Sequence, residues 1–209
     1  MYRGVFFVLL PHIKSKKLIY EVLIYHYHHI INVCHARPRR RSQEQSTACR
    51  PLRSARRRHA DGIEVWTSDD LYVWEYKGLA LNKANTTETQ WFWAPEVYNK
   101  NGKYYMYYSA NEHLYVATSD SPLGPFKQEG TYQMNSLLGS EKCIDSHVFF
   151  DDDGKAYLFF VRFTDGNCIW MCELEDDYIT PIDGTLKKCI NVTLPWENLL
   201  GRVCEGPNM

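Results

Sequence analysis

Two short patterns recur along this chain at nearly the same spacing, and together they leave few folds open. Thr67-Ser68-Asp69 returns 51 residues later as Thr118-Ser119-Asp120, and Asn101-Gly102-Lys103-x-Tyr105 returns 52 residues later as Asp153-Gly154-Lys155-x-Tyr157. Around each Asx-Gly-Lys the order is the same: an aromatic-rich run, a tight turn, a second aromatic-rich run, then a third. Asx-Gly flanked by alternating apolar residues is a strong hairpin signal. The sharpest case runs from Cys143 to Phe160, into the corner Asp151-Asp152-Asp153-Gly154 and out again. A period of about 50 residues carrying three or four short antiparallel strands is the pattern of a β-propeller blade. Helical solenoids of similar period would show 3.6-residue periodicity and few Gly-centred turns, and this stretch has neither. The expected class is all-β.

The repeat can be counted. Residues 61–76 supply the outer strands of one blade, residues 91–126 a second and residues 144–175 a third. Gly201 to Pro207 then reads as the opening of a further blade. Roughly three blades are expected, fewer than a closed ring needs. Aromatics make up 14 % of the chain, with 15 Tyr and 6 Trp, which suits sheets or a surface that faces carbohydrate.

The first 60 residues have a different character. They hold 13 Lys+Arg against 2 Asp+Glu, whereas residues 61–209 hold 11 against 23; the net charges, +11 and −12, give the chain's −1. Six of the 8 His also fall before residue 61. So sharp a break argues that the two parts do not share one history. Residues 1–60 are therefore read as an atypical Arg/His-rich segment, irregular or disordered and outside the fold. They are expected to be foreign or out-of-frame sequence joined to an internal piece of the protein. Residues 61–209 are read as the incomplete propeller domain.

Other classes are weighed and set aside. The runs Arg37-Pro38-Arg39-Arg40-Arg41 and Arg56-Arg57-Arg58 lack interleaved aromatics, so no nucleic-acid partner is inferred. Tyr25 to His29 is rich in His, but Glu21, Cys34 and His35 complete no metal spacing. Asp151-x-Asp153 lacks the further acidic ligands of a calcium loop. No metal and no cofactor is expected. The 7 Cys form no paired framework and are read as reduced thiols. No apolar run is long enough for a membrane-spanning helix, and Gly4 to Leu10 is too short and too soon broken by Pro11 for a clear leader.

Three carboxylates stand where inner strands should begin: Glu96, Asp145 and Glu205. Carboxylates converging on a pocket can divide labour, one protonated as general acid, one ionised as base and a third setting their pKa values. The residues around them resemble the glycoside hydrolase family 43 group. The likeness rests on Gly62 to Leu71, Trp93-Ala94-Pro95-Glu96, Ala117 to Phe126, Ile144-Asp145 through Asp151-Asp152-Asp153-Gly154-Lys155-Ala156-Tyr157-Leu158, and Glu205-Gly206-Pro207, in that order. Any one of these is weak alone, since Glu-Gly-Pro and Asp-Asp-Gly are common turns.

The resemblance implies a five-bladed propeller, present here in part. It also implies hydrolysis of arabinose- or xylose-containing polysaccharides with inversion. It implies that Glu205 is the proton donor and Asp145 the auxiliary carboxylate that raises and orients it. Trp91, Trp93 and His147 become candidates for holding a sugar, though both Trp residues also suit blade packing. Glu96 is read either as structural or as touching substrate. The family's general base, an Asp followed by Pro on the first inner strand, has no counterpart, because residues 1–60 contain no Asp. Two readings follow: a glycosidase acting on α-L-arabinofuranosyl or β-D-xylosyl linkages, or a non-catalytic carbohydrate-binding remnant of one. Neither calls for a membrane.

Overall fold

A computed structural model describes residues 5–14, 17–26, 61–68, 73–199 and 201–208, and for residues 5–26 the description is of backbone. Strand-forming sequence is organised here into three four-stranded antiparallel sheets. The first holds β1 (Val5–Lys14), β2 (Lys17–His26), β3 (Gly62–Ser68) and β4 (Glu75–Asn82) in chain order. The second holds β5 (Trp93–Lys100), β6 (Lys103–Ala110), β7 (His113–Ser119) and β8 (Lys127–Glu129). The third runs β9 (Cys143–Phe150), β10 (Ala156–Arg162), β11 (Cys168–Leu174) and β12 (Lys187–Ile190). A single turn of helix, α1 (Asn135–Leu138), joins the second sheet to the third. The first strands of successive sheets lie side by side, β1 against β5 and β5 against β9. The result is the partial propeller that the repeat implies.

The turns follow from local chemistry. Lys100 pairs with Lys103, leaving Asn101-Gly102 as a two-residue loop with φ of 54° and 84°. Both residues are left-handed, as a type I′ turn demands, and Asn-Gly is the pair that accepts this most readily. Ala110 pairs with His113 across a similar loop, Asn111-Glu112, with φ of 49° and 60°. At the third hairpin, Asp153 caps the Lys155 N–H and Gly154 takes φ of 90°.

Period-2 alternation sorts the side chains of β6 and β7 to two cores. Met106, Tyr108, Ala110, Tyr115 and Ala117 pack with Ile63, Val65, Leu81 and Phe126 between the first and second sheets. Tyr107, Leu114 and Val116 turn the other way and pack with Val148, Leu158, Phe160 and Cys172 between the second and third. The central sheet is thus apolar on both faces, as a blade flanked by two others must be.

One part of the architecture differs from the sequence reading. That reading leaves residues 1–60 outside the fold and gives the first blade outer strands alone, yet β1 and β2 lie within that segment. They form a hairpin of two ten-residue strands, the second of which pairs with β3, Tyr20 opposite Ser68 through Ile24 opposite Glu64. Apart from Glu21, the runs Val5–Leu10 and Leu18–Ile24 are made of β-branched, aromatic and leucine residues, the composition a strand takes up. Net positive charge dominates the segment and masks this local pattern. The His cluster beyond His26 and the Arg-rich stretch fall outside the described residues.

Candidate functional site

The ends of β5 and β9 that face the axis are built alike, and both are kinked. In the second sheet Trp93 pairs with Ser109 and Glu96 with Tyr107, so an extra residue is accommodated between them. In the third, Ile144 pairs with Val161 and His147 with Phe159, again leaving an extra residue. At each β-bulge one non-glycine residue is forced to positive φ, Ala94 at 43° and Asp145 at 55°. Such backbone is costly for a side-chain-bearing residue and re-aims the side chain that occupies it. The Ser109 hydroxyl, on β6, holds the bulge by accepting the Asp145 N–H at 3.0 Å. Matching the bulges pairs Ala94 with Asp145 and Glu96 with His147. Glu96 therefore lies two residues further along its strand than Asp145 does, rather than at the equivalent position.

Glu96 and His147 meet. The His147 Nδ1 lies 3.0 Å from a Glu96 carboxylate oxygen, and the Tyr98 hydroxyl donates to that same oxygen. Tyr98 Oη in turn accepts the Val148 N–H at 3.1 Å and lies 3.2 Å from His147 Nδ1. Burial, and then the negative charge of Glu96, hold the Tyr98 phenol far above its usual range, so it stays a neutral donor. His147 is 7 % exposed. The structure thus places this candidate sugar ligand within a buried network that ties the second sheet to the third.

Glu205 arrives from the opposite direction, on a segment docked against the loop between β10 and β11. The Asn167 N–H donates to Arg202 O at 2.8 Å and the Cys204 N–H to Asn167 O at 2.9 Å, a parallel bridge centred on Asn167 and Val203. The Asn167 side-chain amide donates to the Glu205 carboxylate. Arg202 adds an ion pair to Asp165 at 2.6 Å. The approach is so close that Gly166, at φ of 70°, has no room for a side chain: a Cβ there would sit 2.1 Å from Arg202 O.

Asp145 and Glu205 are close enough to feel each other. The Asp145 carboxyl is pushed up to about 6, first by burial, then by the charge of Glu205 and more weakly by that of Glu96, while the Gly206 N–H aimed at it opposes the rise. A carboxyl that keeps its proton to near-neutral pH beside a second carboxylate is a pattern of acid–base sites. Trp91 and Trp93 stack with ring centroids 5.8 Å apart and planes 17° from parallel, and Trp93 pairs with Ser109, the residue that holds the Asp145 N–H. Trp91 is 46 % exposed, and a flat, open aromatic face of this kind can pack on the C–H face of a sugar.

The two carboxylates and the tryptophans are legible in the sequence. The Asn167 anchor and the Tyr98 link are not, because each acts across a sheet or loop contact distant in sequence. The bulge does leave a trace: Trp93-Ala94-Pro95-Glu96 and Ile144-Asp145-Ser146-His147 are offset by 51 residues, the repeat's own spacing. Among the described residues no group of His, Cys, Asp and Glu could hold a metal ion, and no helix is long and apolar enough to cross a membrane. The described cysteines, Cys143, Cys168, Cys172, Cys189 and Cys204, are free thiols.

Comparison with known proteins finds relatives that match parts of this chain. A xylosidase/arabinosidase 43A of Humicola insolens is 44 % identical over 73 residues, which span 32 % of this chain and 21 % of that protein. An extracellular endo-α-(1→5)-L-arabinanase of Bacillus subtilis is 28 % identical over 151 residues, 56 % of this chain and 32 % of the other. The crystal structure of an endo-1,4-β-xylanase from Bacteroides thetaiotaomicron superposes with a TM-score of 0.68 at 36 % identity, covering 98 % of this chain and 61 % of that one. The chain thus spans about a fifth to a third of these two curated relatives and under two thirds of the solved structure. The profile of Glycosyl hydrolases family 43 matches residues 51–209, and the chain belongs to that family.

Proposed function

We propose that the axial site hydrolyses O-glycosyl bonds of plant polysaccharides, at α-L-arabinofuranosyl or β-D-xylosyl linkages, with inversion at the anomeric carbon. The observation that carries this reading is the convergence of Asp145, raised to about 6, with Glu205 and the Gly206 N–H at one end of the third sheet. Glu205 is the proton donor to the departing glycosidic oxygen. Asn167 fixes its carboxyl from behind. Asp145 stands beside it as the auxiliary carboxylate, its own carboxyl held up by burial and by the charge of Glu205. Inversion needs a water between the acid and a separate base, the two standing roughly 6.5–9.5 Å apart. Relatives printed as xylosidase/arabinosidase and arabinanase support the substrate class.

A second reading has its own observation. Residues 1–60 contain no Asp, so the family's base is not found where the resemblance puts it. On this reading the Trp91–Trp93 face and Asp145 bind carbohydrate without turnover.

One experiment separates the two. Purified chain is incubated with nitrophenyl α-L-arabinofuranoside and β-D-xyloside beside a Glu205→Gln variant, and binding of arabino- and xylo-oligosaccharides is followed by calorimetry. Turnover abolished in the variant supports the hydrolase. Binding that Trp91→Ala removes, without turnover in either protein, supports the remnant. Neither turnover nor binding overturns both.

A further inference from the structure

We propose that Cys168 and Cys204 are a disulfide-forming pair that fastens the Glu205 segment to the loop between β10 and β11. The argument is one of register. The parallel bridge at Asn167 and Val203 is a single one, but the Cys204 N–H still reaches Asn167 O at 2.9 Å, and continuing that register by one residue sets Cys168 opposite Cys204. Paired residues project to the same face of the two strands, and that face alternates along the chain. The previous pair shows which face: a Cβ on Gly166 would lie 2.5 Å from the Cβ of Arg202. Cys168 and Cys204, two residues on from Gly166 and Arg202, share that face. Asn167 and Glu205, joined through their side chains, occupy the other. Disulfides need Cβ atoms about 3.5–4.5 Å apart, a separation that close parallel pairing brings within reach. The electrostatics agree: after burial, Cys168 does most to raise the Cys204 thiol, ahead of Glu197.

The two thiols are unequal in a way that orders the chemistry. Cys204 is half-buried and reachable, whereas Cys168 is fully buried and donates weakly to Asp165 O at 3.4 Å. The oxidant is a low-molecular-weight disulfide. Its sulfur is attacked by the Cys204 thiolate, one small thiol leaves, and a mixed disulfide forms. The Cys168 thiolate then attacks the Cys204 sulfur and expels the second small thiol. One S–S bond is broken and one formed, and the two protein thiol protons end on the two released thiols. Cys143 and Cys172, each pushed up to about 12 chiefly by burial, do not compete. The bond would lock the segment that carries Glu205. That consequence rests on the function proposed above, but the pairing itself does not.

The test uses the full chain under native, mildly alkaline conditions with oxidised glutathione. Remaining thiols are alkylated, the protein is cleaved after Trp170 and Arg202, and the peptides are mapped by mass spectrometry. The expected product is a single cross-link between Cys168 and Cys204, absent from Cys204→Ser and absent when oxidation is done in denaturant. Protection of Arg202 from trypsin, seen in the oxidised protein and reversed by reductant, is the second readout. The proposal is overturned if Cys204 stops at the mixed disulfide, if it pairs with Cys189 or another thiol, or if Cys168 is still alkylated in full after denaturation. None of these outcomes depends on turnover, so the pairing can fail while the hydrolase reading stands, and the reverse.

Discussion

At Asp145 backbone strain and charge coincide, and both have measurable consequences. A carboxyl held above its ordinary value of about 4 binds its proton more tightly in the folded chain than in the unfolded one. Stability therefore falls as pH rises from about 4 to about 6, and stays lower above that window. Asp145→Asn removes the charge and should stabilise the protein by about 1–2 kcal/mol at neutral pH, after allowance for partial exposure, and by nothing near pH 4. Thermal melts of both proteins at the two pH values check this, and a gain of equal size at both would contradict it. Tyr98 offers a second case. Its hydroxyl donates to Glu96 and accepts the Val148 N–H, so Tyr98→Phe orphans the buried Val148 N–H and leaves the Glu96 oxygen with His147 alone. A loss of about 1–2 kcal/mol in chemical denaturation is expected.

Among the elements, the hairpins show what a sequence reveals and what it hides. Asn101-Gly102 announces its turn, and Gly102→Val, forced to φ of 84°, should cost about 1–2 kcal/mol. Asn111-Glu112 makes a similar two-residue loop with no glycine, and the composition gives no sign of it. Glu112→Gly should be neutral or stabilising by up to about 1 kcal/mol, since it relieves φ of 60° and gives up only the exposed ion pair with Lys142. Equilibrium urea melts distinguish the two signs. The same contrast covers the strands. Aromatic alternation marks β5 to β7 and β9 to β11 to within a residue or two. The outer strand Lys127–Glu129 is three polar residues, and Lys187–Ile190 is exposed throughout, so neither has an apolar face to read. Their strand character comes from pairing with a neighbour already in place. At the site, Gly166→Ala should push Arg202 away from its loop and speed tryptic cleavage after Arg202 several-fold, a readout independent of catalysis.

On the scale of the whole molecule, two cores share one sheet. Met106 and Leu114 sit on adjacent strands but belong to opposite sides, one core toward the first sheet and one toward the third. Met106→Ala and Leu114→Ala should each cost about 2–5 kcal/mol. Because β6 and β7 serve both cores, each variant should lower one common transition in calorimetry rather than melt one half ahead of the other. Net charge and the Arg/His bias divided this chain sharply at residue 60, yet strands β1 and β2 lie on the far side of that division. Charge describes what a segment shows to water, and a strand is chosen by what it can pair with. The family assignment was legible because its motifs are short and local. The docking of Glu205 onto Asn167 was not, because 38 residues separate them.

The paired kinks at Ala94 and Asp145 carry a different kind of implication. One backbone shape was cast twice, and in one casting the socket was left with a methyl group. The repeat thus presents one backbone position twice, and which residue stands there decides its chemistry. The first sheet lacks it, since β1 pairs with β2 in unbroken register, so the socket belongs to the second and third blades. A new activity on this scaffold could then begin with a single codon.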